Sequence, residues 1–261
     1  MHAHTSMYLW HGRALIVGPG IDSSPHAHHA AQLTLALERP VRVRRDATQP
    51  WQETRAALFA PNDAHQLDCG GAPMAHLFID MPLRPAALPS ELRASFADDP
   101  VFEPVRMALD KAAHTGLDES AAARLVREWL ECALPGAPAG FGYDPRIGQA
   151  LQWIARHPGE RTDGRALAAM VHLSESRFTH LFRQQTGLSL SRYLIWARLL
   201  HAVELAADGA SMTEAAHGAG FADLAHLSRS FRGTFGVMPS ALRKMTIVFK
   251  RADNAATTLA P

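Results

Sequence analysis

The chain has little cysteine, no long apolar run and almost no net charge, and each of these absences narrows what it can be. Its 261 residues include two cysteines, Cys69 and Cys132, which lie far apart and form no CxxC pair. Neither a disulfide framework nor a thiolate zinc site is therefore indicated. No apolar stretch approaches the ~20 residues of a transmembrane helix, and the N-terminus lacks the basic start and cleavage site of a signal peptide. We expect a cytoplasmic protein.

The length and the distribution of charge indicate two domains of different character. A chain of 261 residues exceeds the roughly 150 residues of a typical domain. The net charge is only +1, but residues 1–143 carry 12 Lys or Arg against 16 Asp or Glu, and residues 144–251 carry 14 against 8. The second part has the basic excess that suits a polyanionic partner, although two solvated faces would give the same asymmetry.

The apolar pattern divides the chain further. Residues 1–85 contain short apolar stretches broken by Gly, Pro, Asp and Asn, which is typical of an antiparallel sheet or barrel. Residues 86–134 contain an apolar stripe with helical spacing, which predicts an amphipathic helix. The stripe consists of Ala122, Leu125, Val126, Trp129, Leu130 and Ala133. Residues 135–145 have the Pro- and Gly-rich composition of a linker, residues 146–250 are predicted to be helical, and residues 251–261 form a loose tail.

A first helix-turn-helix unit is indicated within residues 162–186. A short apolar helix meets a break at His172 and Leu173, and a second helix begins at Ser174, whose hydroxyl is suited to an N-cap. The buried positions of this second helix are Phe178, Leu181 and Phe182. Its outward face carries polar and basic groups able to reach bases and phosphates in a major groove. These residues are Glu175, Ser176, Arg177, Thr179, His180 and Arg183.

The same arrangement returns about 46 residues later. Ser211 and Glu214 have the spacing of a capping box, Gly218 and Gly220 supply the break, and a helix runs from about Asp223. Its predicted apolar positions are Leu224, Leu227, Phe231 and Phe235. Its outward face offers Ala225, His226, Ser228, Arg229 and Arg232.

The segment between the two units predicts a rigid spacer. Residues Leu190 to Asp208 contain neither Gly nor Pro. At about 1.5 Å per residue such a helix spans roughly 28 Å. Two recognition helices at its ends would lie about one DNA turn apart, near ~34 Å, so that both could enter successive major grooves on one face of the duplex.

These motifs resemble the DNA-binding domain of the AraC/XylS family of bacterial transcription regulators, over about residues 146–244. The similarity rests on Leu-Ala at 167–168, LSESRFTHLFRQQTG from Leu173 to Gly187, Arg198, and GFADLAHLSRSFRGTFGVMP from Gly220 to Pro239. The resemblance implies seven helices in two subdomains, with the helices that begin near Ser174 and Asp223 inserted in DNA. It further implies a sequence-specific regulator, expected to be an activator, which binds double-stranded promoter DNA in the nucleoid and works with RNA polymerase.

The candidate DNA contacts fall into two groups. Most protein–DNA hydrogen bonds go to the phosphate backbone, so we expect Arg183, Arg192 and Arg232 to bind phosphates, with Arg177 beside them. Outward polar residues that are merely solvated remain the alternative for every candidate. The expected base contacts are Ser176, Thr179, His180, Ala225, His226, Ser228 and Arg229.

In the first part of the chain, PHAHHAAQLTLAL resembles the first motif of the cupin barrel. His26, His28 and Gln32 fall where that fold commonly has His, His and Glu, and His65 lies near the position of the second-motif histidine. The resemblance implies an N-terminal sensor that holds a small-molecule effector. Two alternatives stay open: three imidazoles could hold a divalent metal such as zinc, nickel, copper or iron, or the histidines are structural.

The expected architecture is α+β and multidomain, with an N-terminal cupin-like β-barrel plus helices and a C-terminal all-α tandem helix-turn-helix domain. By the same resemblance the amphipathic helix pairs with its copy in a homodimer; packing on its own barrel is the alternative. We expect no enzyme. A cupin-type metalloenzyme would need the motif Glu that Gln32 replaces, and a DNA-repair methyltransferase would need clustered zinc-binding cysteines. An architectural DNA binder that answers to no effector is a further alternative.

Overall fold

The computed structural model describes residues 5–10, 13–28, 30–79, 100–133 and 143–249. The chain divides into two units: the first contains residues 1–80, 88–140 and 240–261, and the second contains residues 81–87 and 141–239. Most of the predicted linker (135–142), the predicted tail and residues 86–99 of the predicted helical segment lie outside the described residues.

Within the described ranges, the strands of the first unit form two sheets. They are β1 Thr5–Trp10, β2 Arg13–Pro19, β3 Ala31–Ala36, β4 Val41–Arg44, β5 Gln52–Thr54, β6 Ala56–Phe59, β7 Gln66–Asp68, β8 Pro73–Ile79 and β9 Met245–Phe249. The larger sheet has the order β6-β3-β8-β2-β1-β9, and the smaller has the order β5-β4-β7. Side chains from both sheets share one apolar core, in which Phe59 and Met74 of the larger sheet meet Val43 and Leu67 of the smaller. The predicted strand-rich N-terminal region is confirmed.

Two helices belong to the first unit as well, α1 Glu103–Thr115 and α2 Glu119–Ala133. The turn between them is tied to β1, because the Tyr8 hydroxyl accepts a hydrogen bond from the Leu117 amide at 2.7 Å and the Trp10 indole donates to Glu119 at 2.8 Å. The predicted amphipathic stripe of α2 is buried within this unit, apart from the half-buried Leu130. Packing within the chain therefore accounts for the burial of the stripe, and the homodimer stays a prediction.

The second unit is helical. Its α-helices are α3 Pro145–Arg156, α4 Gly164–Met170, α5 Glu175–Thr186, α6 Leu190–Ala207, α7 Met212–Gly218 and α8 Leu224–Phe235. A core of side chains from α3 to α6 includes Ile147, Leu167, Phe178 and Phe182. This confirms the predicted helical region. Across the described ranges, no helix is both long enough and apolar enough to cross a bilayer.

The prediction of helix up to residue 250 is wrong at its end. A 3-10 helix, Pro239–Lys244, leads into β9, which pairs in parallel with β1 in the register Thr5↔Met245 to Leu9↔Phe249. The segment MTIVF has the β-branched and aromatic residues that strands favour. Five residues are too few for periodicity to separate strand from helix, and the partner strand lies at the opposite end of the chain.

Candidate nucleic-acid interface and histidine cluster

The turn of the first helix-turn-helix unit lies where the sequence predicts it. His172 has a φ of 56°, in the left-handed region, and the Leu173 amide donates to the Ala168 carbonyl at 2.9 Å, which ends α4. The Ser174 hydroxyl accepts a hydrogen bond from the Arg177 amide at 3.3 Å and so caps α5. A Cβ on Gly164 would lie 3.3 Å from side-chain atoms of α5. A larger residue at position 164 would therefore require these α5 side chains to shift by a few tenths of an ångström.

In the second helix-turn-helix unit, side chains cap both helices. The Ser211 hydroxyl accepts from the Glu214 amide at 3.2 Å, and the Glu214 carboxylate accepts from the Ser211 amide at 2.8 Å, which confirms the predicted capping box. Gly220 has a φ of 79° in the turn. Asp223 caps α8 by accepting from the His226 amide at 2.6 Å, and this bond lowers the pKa of the Asp223 carboxyl. The carboxylate is thus held ionised at the positive end of the helix.

Helix α6 is a rigid spacer between the two helix-turn-helix units, which are formed by α4 with α5 and by α7 with α8. At about 1.5 Å per residue, its 18 residues span about 27 Å. Tyr193 of α6 packs edge-on against Phe182 of α5, with ring centroids 5.4 Å apart, and Trp196 packs against Phe235 of α8 at the same separation. Both recognition helices are therefore held by aromatic contacts on one continuous helix.

Most of the predicted DNA contacts are available to a ligand. The exposed candidates are Ser176, Arg177, Thr179, His180, Arg183, Arg192, Ala225, Arg229 and Arg232. His226 and Ser228 are half-buried, and the His226 ring packs edge-on against Phe221 at 5.2 Å. Leu224, which was predicted on the apolar face of α8, is not buried: it is the first residue of the helix and is 38% exposed. The first turn of α8 lies beyond the core that covers Leu227 and Phe231.

Two features of this surface were not predicted from the sequence. The Thr179 hydroxyl donates within α5, to the carbonyl of Glu175 at 2.9 Å, and its methyl carbon lies on the side of Gly164 in α4. The oxygen is therefore left as an acceptor. Arg165 is exposed in the first turn of α4. Since the first helix of such a unit crosses the DNA backbone, Arg165 joins the candidate phosphate contacts. Its signal in the sequence was a basic residue next to Gly164.

In the first unit, the three predicted histidines come together. His26 and His65 exchange backbone hydrogen bonds of 3.1 and 2.9 Å, and His28 lies beside them. One ring nitrogen of each lies within 4.8 Å of the others, and all three residues are buried. The structure therefore places three potential metal ligands at a single point.

The ring orientations follow from the backbone. The Nδ1 atoms of His26, His28 and His65 lie 2.9, 2.7 and 2.9 Å from the carbonyl oxygens of Ser24, Ala30 and Asp63. A carbonyl only accepts, so each Nδ1 carries a proton, and in the neutral form of such a ring the lone pair lies on Nε2. Burial lowers the pKa of His65 to about 2 and lowers that of His26 as well. These rings are thus in the neutral form that metal ions bind.

Gln32 on β3 reaches the same point. Its Oε1 lies 2.7 Å from Nε2 of His28 and 3.1 Å from Nε2 of His65. Its amide group lies 2.8 Å from the Thr34 hydroxyl, which lies 3.0 Å from Nδ1 of His76. The sequence did not single out Thr34 or His76, because only the register of β3 against β8 places them opposite each other.

Aromatic rings enclose the cluster. Phe59 and Phe78 are the partners of Gln32 on the two neighbouring strands. Phe59 stacks on His65 with centroids 4.0 Å apart, and Phe78 meets His28 edge-on at 5.2 Å. An apolar wall of this kind limits solvent access and strengthens electrostatic interactions inside the site.

Residues 167–245 match a protein family described as a helix-turn-helix domain. The HTH-type transcriptional activator RhaS of Citrobacter koseri is 34% identical over 102 residues, which cover 39% of this chain and 37% of that protein. RhaS of Salmonella schwarzengrund is 33% identical over the same lengths. The chain thus matches little more than a third of these relatives.

Solved structures of ToxT from Vibrio cholerae resemble the fold over most of the chain. For strain O395 the TM-score is 0.60 at 9% identity, covering 90% of this chain and 98% of that one. For ToxT with bound unsaturated fatty acid the TM-score is 0.55 at 10% identity, covering 94% and 98%. At such identities the likeness concerns the fold, a β-rich N-terminal part followed by helices.

Proposed function

We propose that this protein is a sequence-specific, AraC-type DNA-binding regulator of transcription. The match of residues 167–245 to a helix-turn-helix domain, and the similarity of this region to the RhaS activators, support the proposal. The observation that carries the proposal is the pairing of α5 and α8 on the single spacer α6. An α-helix with its side chains is about 10–12 Å across, which fits a major groove about 12 Å wide. One chain then presents two recognition helices about one DNA turn apart.

The exposed residues fall into two groups, those that contact phosphates and those that contact bases. Arg183, Arg192 and Arg232 bind phosphates and fix the position of the domain, because long cationic side chains suit the DNA backbone. His180 on α5 and Arg229 on α8 are exposed at the centre of their helices and contact base edges. Thr179 offers its hydroxyl oxygen as an acceptor, since its hydroxyl proton is used within the helix.

Selection of binding sites from random duplexes, followed by footprinting, tests this proposal without knowledge of the promoter. One subunit should protect two adjacent major grooves. His180→Ala should change the base preference in one half of the site, and Arg229→Ala in the other. Arg156→Ala removes an exposed charge at the end of α3, outside both helix pairs, and is the matched control. Protection of one groove, or a preference that neither variant changes, would overturn the proposal.

The first unit controls DNA binding in this proposal, and the regulator acts as an activator that works with RNA polymerase. Support for activation comes from the RhaS proteins, which are named transcriptional activators and match the DNA-binding region. Transcription in vitro from a promoter that carries the selected site is the test. Added protein should raise transcript yield; a fall would indicate repression instead.

The sequence predicts a small organic effector in the N-terminal unit, but the histidine cluster favours a divalent metal ion as the effector. His26, His28 and His65 are buried, and their Nδ1 atoms lie 2.7 to 2.9 Å from backbone carbonyl oxygens. Metal-ligating histidines almost always use the second ring nitrogen in this way. The donor set fits zinc, copper, nickel or iron. Untagged protein should contain metal on elemental analysis, and removal of the metal by a chelator should change its affinity for the selected DNA. A protein that contains no metal, and whose DNA affinity does not change on chelation, would exclude this effector.

A further inference from the structure

We propose that Gly159, Gly218 and Gly220 form a contact that fixes one recognition helix relative to the other, and that Gly159 thereby sets the spacing of the two DNA half-sites. This contact is called the glycine joint below. The inference rests on the proposed binding of both recognition helices to DNA. It assigns a positioning role to a residue that lies in the loop between α3 and α4, outside both helix-turn-helix units.

The glycine joint is a close approach of backbone to backbone. A Cβ on Gly159 would lie 2.8 Å from the carbonyl oxygen of Gly218, and a Cβ on Gly220 would lie 3.2 Å from the carbonyl oxygen of Gly159. Even a favourable C–H···O contact keeps carbon and oxygen about 3.3–3.6 Å apart. A side chain at position 159 would therefore push the two segments away from each other.

The local backbone does not itself require glycine at position 159. Residues 157–160 form a turn, in which the Glu160 amide donates to the His157 carbonyl at 3.1 Å and Pro158 is the second residue. The third residue of such a turn has to be glycine when its φ is positive. The φ of Gly159 lies outside the left-handed region, so the turn accepts other residues. The short distance to Gly218 is what requires the glycine.

The glycine joint connects the two helix-turn-helix units at a second place along α6. Tyr193 and Trp196, whose rings contact α5 and α8, are three residues apart on α6, or about 4.5 Å along the helix axis. Arg198 and His201 lie further along α6 and border the joint, with side-chain atoms 3.5 and 4.0 Å from the positions of the missing Cβ atoms. A contact further along the helix resists a rotation of one unit against the other.

The elements on each side of the joint lead directly to the recognition helices. Gly159 is followed by Asp163, which caps α4 by accepting from the Ala166 amide at 2.8 Å. Gly218 is the last residue of α7, and Gly220 lies in the turn before α8. A displacement at the joint therefore moves one helix-turn-helix unit against the other.

The geometry of DNA turns such a displacement into a loss of specificity. One additional base pair moves a half-site by about 3.4 Å and rotates it by roughly 35°. Two recognition helices in a fixed arrangement match both half-sites at one spacing only. Loss of a single good base contact costs about five- to a hundredfold in affinity. The joint thus selects the number of base pairs between the half-sites.

The test measures binding of the full-length protein to duplexes by fluorescence anisotropy. The duplexes carry the selected site with its half-sites at the original spacing, one base pair closer or one base pair further apart, and two more carry one half-site with the other scrambled. The wild type should bind the original spacing about tenfold more tightly than the other spacings. Gly159→Ala should lower affinity for the original spacing about tenfold and flatten or move the preference. It should bind each single half-site as the wild type does.

Two further variants make the result specific to the joint. Gly148→Ala, within α3, is the matched control, because a Cβ there would have Tyr143 in ordinary contact at 4.0 Å; it should keep the wild-type preference. Gly220→Asn suits the left-handed backbone, which asparagine tolerates, and places its Cβ 3.2 Å from the Gly159 oxygen. It should change the spacing preference in the same direction by less. If circular dichroism shows that Gly159→Ala is unfolded, Gly220→Asn decides the outcome.

The outcomes separate this inference from the proposed function. A wild-type protein that binds a single half-site as tightly as the whole site overturns binding through both helices, and the joint with it. A wild-type protein that needs both half-sites, with Gly159→Ala unchanged at every spacing, overturns only the joint. An equal loss in Gly159→Ala on all duplexes, single half-sites included, would assign Gly159 to stability and also overturn the joint.

Discussion

His172 and Gly220 occupy equivalent positions in the turns of the two helix-turn-helix units, and both have left-handed backbone, with φ of 56° and 79°. In each turn the amide of the following residue, Leu173 or Phe221, donates to a carbonyl five residues earlier at 2.9 Å. The same backbone is thus built once with glycine and once with a side chain. A left-handed residue other than glycine costs about 1–2 kcal/mol.

Gly220→Ala should lower the free energy of unfolding by at least about 1–2 kcal/mol. A Cβ there would also lie 3.2 Å from the Gly159 carbonyl oxygen. Gly233→Ala is the matched control, because Gly233 lies within α8 with open space around it, and alanine there should stabilise by about 0.5–1 kcal/mol. His172→Gly should change stability by less than about 1 kcal/mol, on the stabilising side, since relief of strain is partly offset by the freer unfolded chain. Urea unfolding measures the free energy of unfolding of all three variants. Equal effects of Gly220→Ala and Gly233→Ala would contradict the requirement for glycine at position 220.

The helix-turn-helix units could be predicted because their signals are local. Ser174, Ser211 and Asp223 cap helices through bonds to amides three residues later, so short sequence windows contain the whole interaction. The exposure of Leu224 could not be predicted in this way, since a helical stripe does not show where the core that covers it ends.

The first unit shows the opposite case. His26, His28, Gln32 and His65 were found from a motif, but the network that Gln32 makes with Thr34 and His76 depends on strands more than 40 residues apart. The stripe of α2 predicted burial correctly and could not show against what it packs. Pairings between distant strands have no local signal.

Phosphate contacts and base contacts should respond differently to salt. Arg183→Gln and Arg232→Gln each remove an exposed cation from a recognition helix. Each substitution that removes one phosphate ion pair should reduce the slope of log K against log salt by about 0.9. His180→Ala should leave that slope unchanged and alter the preferred bases. Fluorescence anisotropy across a salt series, on the selected site and a scrambled one, measures both effects. If the slope of log K against log salt is the same in Arg183→Gln as in the wild type, Arg183 does not bind a phosphate and is only solvated.

Trp129 tests whether α2 belongs to the core or to an interface between subunits. Its side chain is fully buried within the first unit, so Trp129→Ala should cost about 3–5 kcal/mol. The destabilisation should not depend on protein concentration. Met107→Ala, at a 61% exposed position on α1, should change stability by less than about 0.5 kcal/mol. Thermal unfolding at several concentrations is the measurement. A transition temperature that rises with concentration in the wild type and not in Trp129→Ala would instead support the predicted pairing of α2 in a homodimer.

The parallel pairing of β9 with β1 makes the end of the chain a structural part of the first unit. A chain that ends at residue 244 should be less stable by roughly 2–4 kcal/mol, if each of a few ladder hydrogen bonds contributes about 1 kcal/mol. It should also self-associate, because β1 becomes an edge strand with unpaired amides. A chain that ends at residue 250 keeps β9 and is the control. Hydrogen exchange over residues 5–10, with size-exclusion chromatography, distinguishes the two. Exchange that is equally slow in both chains would mean that β9 does not protect β1.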